Sequence, residues 1–248
     1  MSDVQTVSFL DVSFSVAQGD VWRQKILTHG RDRPFGYIVT PNVDHVIRLS
    51  REAALRPIYT AAAARICDSR VLQHLARIKG YELQVYPGSD IVRDIFNDPQ
   101  AKALRIAACG PSAEDFAILQ ANCPDLNLIW IDAPFMKVDD ENWARVLADV
   151  EAADCDIVLL CLSFPKQEIM AAHLHRRGKA VGMGLCVGAS LDFLTGRQRR
   201  APELMQKLSL EWLYRLGSDP ARLWKRYLLE GPKVFWLFLT REVGRKAR

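Results

Sequence analysis

Asp156-Ile157-Val158-Leu159-Leu160-Cys161-Leu162-Ser163-Phe164-Pro165-Lys166-Gln167-Glu168 decides the fold. The apolar run is continuous rather than alternating, as in a strand whose two faces are both covered by helices. Ser163-Phe164-Pro165 then reads as a tight turn into a helix. Pro165 suits the first helical turn, where its missing N–H costs little, and Ser163 is a candidate cap. Lys166 and Gln167 therefore stand at the carboxyl end of a strand and at a helix N-terminus. In an open α/β sheet ligands bind there, and the unpaired N–H groups favour anions. The bland alternative is an ordinary strand-to-helix turn.

Working outward, strands and helices keep alternating. Val7–Phe14 has a strand pattern and Val16–Leu27 reads as a helix. Gly36–Thr40 is a short strand, and Asn42 caps a helix from Val43 to about Glu52. A helical run over Ala53–Ala64 leads into a short strand, Arg65–Asp68, with an acid at its carboxyl end. Val71–Lys79 is helical, Glu82–Tyr86 an edge strand, and Pro87–Asp90 a turn capping Ile91–Phe96. Leu104–Cys109 is a buried strand feeding Gly110-Pro111-Ser112, with Ser112 as the next cap. Leu126–Asp132, the helix Glu141–Ala152 and the strand Lys179–Leu185 complete the pattern. This implies an α/β fold, a Rossmann-like, doubly wound, mostly parallel sheet.

After Gly196 only helical runs follow: Pro202–Lys207, Ser209–Leu216, Pro220–Leu229 and Lys233–Val243. The expected division is an α/β body over residues 1–195 and a helical appendage over 196–248. Of the chain's net charge of +4, residues 197–248 carry 13 Lys and Arg against 5 Asp and Glu, or +8, leaving the body at −4. A basic appendage on a mildly acidic body suggests a polyanionic partner: nucleic acid, a membrane surface or phosphate-bearing substrates. Val234–Leu239 is an apolar run of six between Lys233 and Arg241, too short to span a bilayer but suited to its interface. Trp212, Tyr214, Trp224, Tyr227 and Trp236 interleave with basic residues, as at an anionic headgroup level. A helical lid or an oligomer contact is the competing reading. No signal peptide and no spanning segment of about 18 apolar residues is expected. The six cysteines form no CxxC pair and read as reduced core residues of a cytosolic protein. His173 and His175 point to different sides of a helix, so no metal site is expected.

Four strand ends collect polar groups: Thr40 with Asn42, Asp68, Gly110 with Ser112, and Lys166 with Gln167. Parallel strands put them on one rim. One carboxylate among neutral hydrogen-bonders and a helix N-terminus suits transfer from a phosphate leaving group. Asp68 can act as general base on an incoming hydroxyl, and cations and helix N-termini can stabilise the departing diphosphate. Each residue also has a plain reading: Asp68 as a helix cap, Thr40 and Asn42 as turn residues. Gly110-Pro111-Ser112 is no phosphate-loop fingerprint, and Gly182-Met183-Gly184 precedes no dinucleotide-type helix.

The chain resembles the WecG/TagA/CpsF family of bacterial glycosyltransferases. Carrying the resemblance are Thr40-Pro41-Asn42, Asp68, Pro87-Gly88-Ser89-Asp90, Phe164–Glu168 and Gly188-Ala189-Ser190-Leu191-Asp192-Phe193-Leu194-Thr195-Gly196. Arg199–Pro202, Leu210–Leu216 and Pro220–Tyr227 continue it. The resemblance implies an inverting, metal-independent transfer from a UDP-sugar to a polyprenyl-diphosphate-linked saccharide. This would occur on the cytoplasmic membrane face, in cell-surface or exopolysaccharide synthesis. It implies Asp68 as base, with Thr40, Asn42 and Gln167 lining the pocket. It further implies that Arg215, Arg222 and Lys225 or Arg226 of the appendage close over the diphosphate and touch the membrane, and it suggests self-association. Two positions depart from the family's pattern. Ser69 follows the Asp where Gly is usual, and Val85 stands two residues before the Pro-Gly-Ser-Asp turn where Arg is usual. A catalytically idle sugar-nucleotide- or lipid-binding protein is the alternative. A nucleic-acid module is disfavoured by the aromatic, amphipathic tail.

Overall fold

The structure is a computed structural model, described here for residues 4–202, 204–205 and 210–243. Its centre is a six-stranded, all-parallel sheet. In chain order the strands are β3 (Gly36–Val39), β4 (Ala64–Arg65), β5 (Arg105–Cys109), β6 (Asn127–Ile131), β7 (Ile157–Leu160) and β8 (Met183–Cys186). Their spatial order is β4-β3-β8-β7-β5-β6. Before them, β1 (Gln5–Phe9) and β2 (Val12–Val16) form a separate antiparallel hairpin.

The opening stretch becomes β7, buried at every residue, between β5 and β8. Alternate residues feed two cores on opposite faces. Val158 and Leu160 join one, with Tyr37, Val39 and Cys186. Ile157 and Leu159 join the other, with Ile38, Ile106 and Leu185. Helices α2 (Val43–Arg51), α4 (Arg70–Ile78), α7 (Glu141–Ala152) and α8 (Lys166–Arg177) cover the first face. Helices α1 (Gly19–Leu27), α5 (Gly88–Phe96) and α6 (Ala113–Asn122) cover the second. Asp156, buried just before β7, accepts the Arg31 and Arg105 N–H groups at 2.9 and 2.8 Å, so this carboxylate ties three segments together.

Several elements differ from the sequence reading. Val7–Phe14 is a hairpin, because Leu10 and Asp11 both take positive φ (51° and 61°) in a two-residue turn. Ala53–Ala64 breaks into a short 3₁₀ turn and α3 (Arg56–Ala61). Glu82–Tyr86 makes a lone parallel bridge, Val85 to Cys67, rather than an edge strand. Lys179–Leu185 shortens to β8, since Gly182 (φ 76°) turns the chain against the Asp156 carbonyl, where a Cβ would sit 2.5 Å away. Ser163 does not cap α8 with its hydroxyl; its carbonyl accepts Lys166 N–H at 2.8 Å, and Pro165 itself holds the cap position after a cis Phe164–Pro165 bond.

A short helix, α9 (Leu191–Leu194), leads into the appendage: α10 (Glu211–Ser218), α11 (Pro220–Trp224), a π-helical turn (Lys225–Glu230) and α12 (Lys233–Arg241). Half of the expected helical run Pro202–Lys207 (residues 203, 206 and 207) falls outside the described residues, as does Ser209. α12 is integral to the body's packing. Its Val234, Leu237 and Phe238 are buried in the first core, and Phe238 lies 6.2 Å from Phe9 of the hairpin. Buried Glu242 accepts the Leu10 N–H at 2.8 Å, and Arg241 pairs with Asp11. The chain's last described helix therefore fastens its first hairpin.

Candidate active site

A cleft of about 390 Å³ opens between the carboxyl end of β4 and the appendage. Asp68 stands in its wall. The chain reaches Asp68 along the edge of the sheet, fixed by Ile66 N–H to Val39 O and Asp68 N–H to Pro41 O, both at 3.0 Å. Ser69, not Asp68, caps α4: its hydroxyl accepts Leu72 N–H at 3.3 Å. The capping reading of Asp68 therefore fails, and its carboxylate is left facing the cleft.

Asn42 forms the adjoining wall. Its Oδ1 accepts the N–H groups of Asp44 and His45, while its own N–H points to His45 Nδ1, making a reciprocal cap on α2. The amide nitrogen of Asn42 makes no hydrogen bond among the described residues and remains for a ligand. His45 sits below, 4.2 Å from the Phe164 ring, and burial pushes its imidazole down to about 3, so it is neutral.

The appendage supplies the opposite wall: Glu211, Trp212, Arg215, Arg226, Tyr227 and Phe235. Arg215 donates to Glu211 Oε1 at 2.9 Å and lies 5.3 Å over the Phe193 ring. Arg226 stands 3.8 Å from Asp44. The π-helical turn, closed by Gly231 N–H to Arg226 O at 2.8 Å, carries Arg226, Tyr227 and Leu228, all cleft-lining. Burial pushes the Asp68 carboxyl up to about 7. Arg215 and Arg226 pull it down, while Glu211 and Asp90 push it up. A carboxyl poised near neutrality can take a proton from a hydroxyl and release it again.

Of the residues expected at the site, the structure brings Asn42, Asp68, Arg215 and Arg226 together. The others lie elsewhere. Thr40 is buried behind the wall, donating to Cys186 O at 2.8 Å. Gln167 is also buried: its Nε2 donates to Glu168 Oε1 at 2.9 Å and its Oε1 accepts Gly188 N–H at 2.8 Å, joining two loops of the rim. Lys166 is drawn away to Met136 O, at 2.6 Å, and the Phe135 ring. Gly110 and Ser112 follow β5, four strands from β4, or about 19 Å across a parallel sheet. Gly110 (φ 120°) makes a close approach, since a Cβ there would meet Cys161 O at 2.6 Å. Ser112 spends its hydroxyl capping α6 and on Asp115 Oδ2. Arg222 pairs with Asp219, and Lys225 lies over the neighbouring Trp224 ring; neither lines the cleft. Glu211 and Arg70 line it without having been expected. The signal for Glu211 was present: it stands four residues before Arg215, one helical turn away.

The chain matches the glycosyl transferase WecG/TagA/CpsF family over residues 7–248. It belongs to that family. A WecG/TagA/CpsF glycosyltransferase takes part in polysaccharide synthesis. The cleft of this one holds a carboxyl near neutral, three arginines and an apolar wall. Among the described residues no three His, Cys, Asp or Glu side chains gather as metal ligands. No helix among the described residues is long and apolar enough to cross a membrane. The glycosyltransferase nevertheless exposes Leu228, Leu229, Phe235, Trp236, Leu239 and Val243 on one part of its appendage.

Proposed function

We propose that this glycosyltransferase moves a sugar from a UDP-sugar to a polyprenyl-diphosphate-linked saccharide, with inversion and with Asp68 as the general base. The observation that carries the proposal is the Asp68 carboxyl, raised to about 7 in a cleft that three arginines share. The acceptor hydroxyl oxygen bonds to the anomeric carbon as the bond from that carbon to the diphosphate oxygen breaks. Asp68 takes the hydroxyl proton, and UDP leaves with the electron pair. Attack from the face opposite the leaving group inverts the centre. Arginine side chains, rather than a resident metal, offset the charge on the departing diphosphate.

The exposed apolar face of α12 supports peripheral attachment to the inner face of the cell membrane. Phe235, Trp236 and Leu239 are more than half exposed, and Lys233 stands at the helix's start. Phe235 lines the cleft as well, so a lipid-linked acceptor lying at this face is already at the cleft mouth.

The test is turnover by the full-length protein on polyprenyl-diphosphate-linked acceptor with a panel of UDP-sugars, the product read by mass spectrometry. Product formation that Asp68→Asn abolishes supports the proposal. UDP binding without turnover on any acceptor favours an idle binding protein instead.

A further inference from the structure

Three arginines line the cleft, and two are already engaged. Arg215 is held by Glu211 and rests on Phe193; Arg226 faces Asp44 and lies 5.8 Å from the Tyr227 ring. Arg70 differs. It is exposed, opens α4 two residues after Asp68, and among the described residues makes no hydrogen bond, ion pair or ring contact. Val85, which lines the same cleft and bridges to Cys67, contributes no charge.

We infer that Arg70 is a phosphate-binding residue of the cleft, which receives a diphosphate ester beside the general base. The inference rests on the reading of the cleft given above. Arg215 and Arg226 each face a carboxylate that offsets part of their charge toward a new anion. Arg70 gives up nothing but water. Its planar guanidinium offers paired N–H donors matched to phosphate oxygens. Its place in the chain matters as much as its charge. Phosphate held at Arg70 sets the reacting centre near Asp68, because both side chains leave the same short connection between β4 and α4. Both the donor's diphosphate and the acceptor lipid's diphosphate have this chemistry.

Calorimetric titration of the full-length protein with UDP, and separately with farnesyl diphosphate, separates the two sources. Arg70→Gln should weaken one of them about tenfold or more, the usual loss when a charge-assisted hydrogen bond is removed. Loss for UDP assigns Arg70 to the donor; loss for farnesyl diphosphate alone assigns it to the acceptor. Arg70→Lys should recover part of the loss, since a point charge replaces the fork. Because Arg70 is exposed and unpaired, the Arg70→Gln protein should melt with the parent, so a loss of binding is not a loss of fold. Equal binding of both diphosphates by parent and Arg70→Gln overturns the assignment while leaving the proposed activity standing. A parent protein that binds neither diphosphate overturns the reading of the cleft, and Arg70's role with it.

Discussion

Glu211 grips Arg215 across one turn of α10, Oε1 to Nη2 at 2.9 Å, and both residues line the cleft that holds Asp68. The appendage thus delivers an ion pair, not a bare cation, to the cleft that holds the Asp68 carboxyl. Its two members act oppositely on Asp68: Arg215 lowers the carboxyl's pKa and Glu211 raises it. Glu211→Gln removes the anion and leaves the guanidinium. The acid limb of the kcat/KM–pH profile should then move to lower pH, because Asp68 ionises more easily. A limb that stays in place would mean that the two carboxylates do not sense each other across the cleft.

Asp68 itself gives the sharpest kinetic signature. With its pKa near 7, the carboxyl is largely protonated at pH 6 and largely ionised at pH 8. Turnover should rise with pH through this interval. Asp68→Asn should cost about 10²-fold or more and flatten the limb, as removal of a general base does. Near-normal turnover by that variant removes Asp68 from the role.

The sheet was readable because a parallel sheet buries both faces, so Ile157–Leu160 and Arg105–Cys109 stand out as apolar runs between helical periods. The hairpin was not readable, since Leu10 and Asp11 are not the Gly or Asn that a tight turn of this kind usually takes. For the site, the strand-end rule named Asn42 and Asp68 correctly as neighbours. It also named Ser112, Lys166 and Gln167, because position along a rim does not say how far apart strands lie or which hydroxyl is spent on a cap. β5 and β4 are separated by three intervening strands, and that order comes from non-local pairing. Glu211 and Arg70 were passed over for a simpler reason: charges on helices usually face water, and only the appendage's return over β4 makes the cleft that both of them line.

That return is why the appendage should not be tested by deletion. Val234, Leu237 and Phe238 fill the body's core while Trp236 and Leu239, on the same helix, face outward. Phe238→Ala should destabilise by about 3 kcal/mol or more, read from urea unfolding. The paired change Trp236→Ser and Leu239→Ser should leave that midpoint nearly unchanged. It should reduce co-sedimentation with anionic liposomes by about tenfold or more, since it removes apolar area that would leave water only at a membrane. Unchanged sedimentation by the double variant would take the membrane contact away from this face.

Glu168 makes stability, rather than rate, the readout. It is fully buried behind Gln167, its Oε2 has no hydrogen-bond partner among the described residues, and burial pushes its carboxyl up to about 7 against the opposing pull of the Gln167 amide and of Arg48. An unfolded glutamate titrates near 4.5. Between these values the folded chain keeps a proton that the unfolded chain has released. Glu168 therefore lowers stability as pH rises from about 4.5 to 7, on the order of 1 kcal/mol per pH unit. Asp68 acts in the same direction, whereas neutral His45 acts oppositely, costing stability as pH falls below 6.5. Subtracting the parent's unfolding free energy from that of Glu168→Gln cancels both. The difference in favour of the variant should grow from pH 5 to pH 7 and then level off. A difference that does not change across this range would mean that Glu168 titrates like an exposed glutamate, and that the buried oxygen has found a partner.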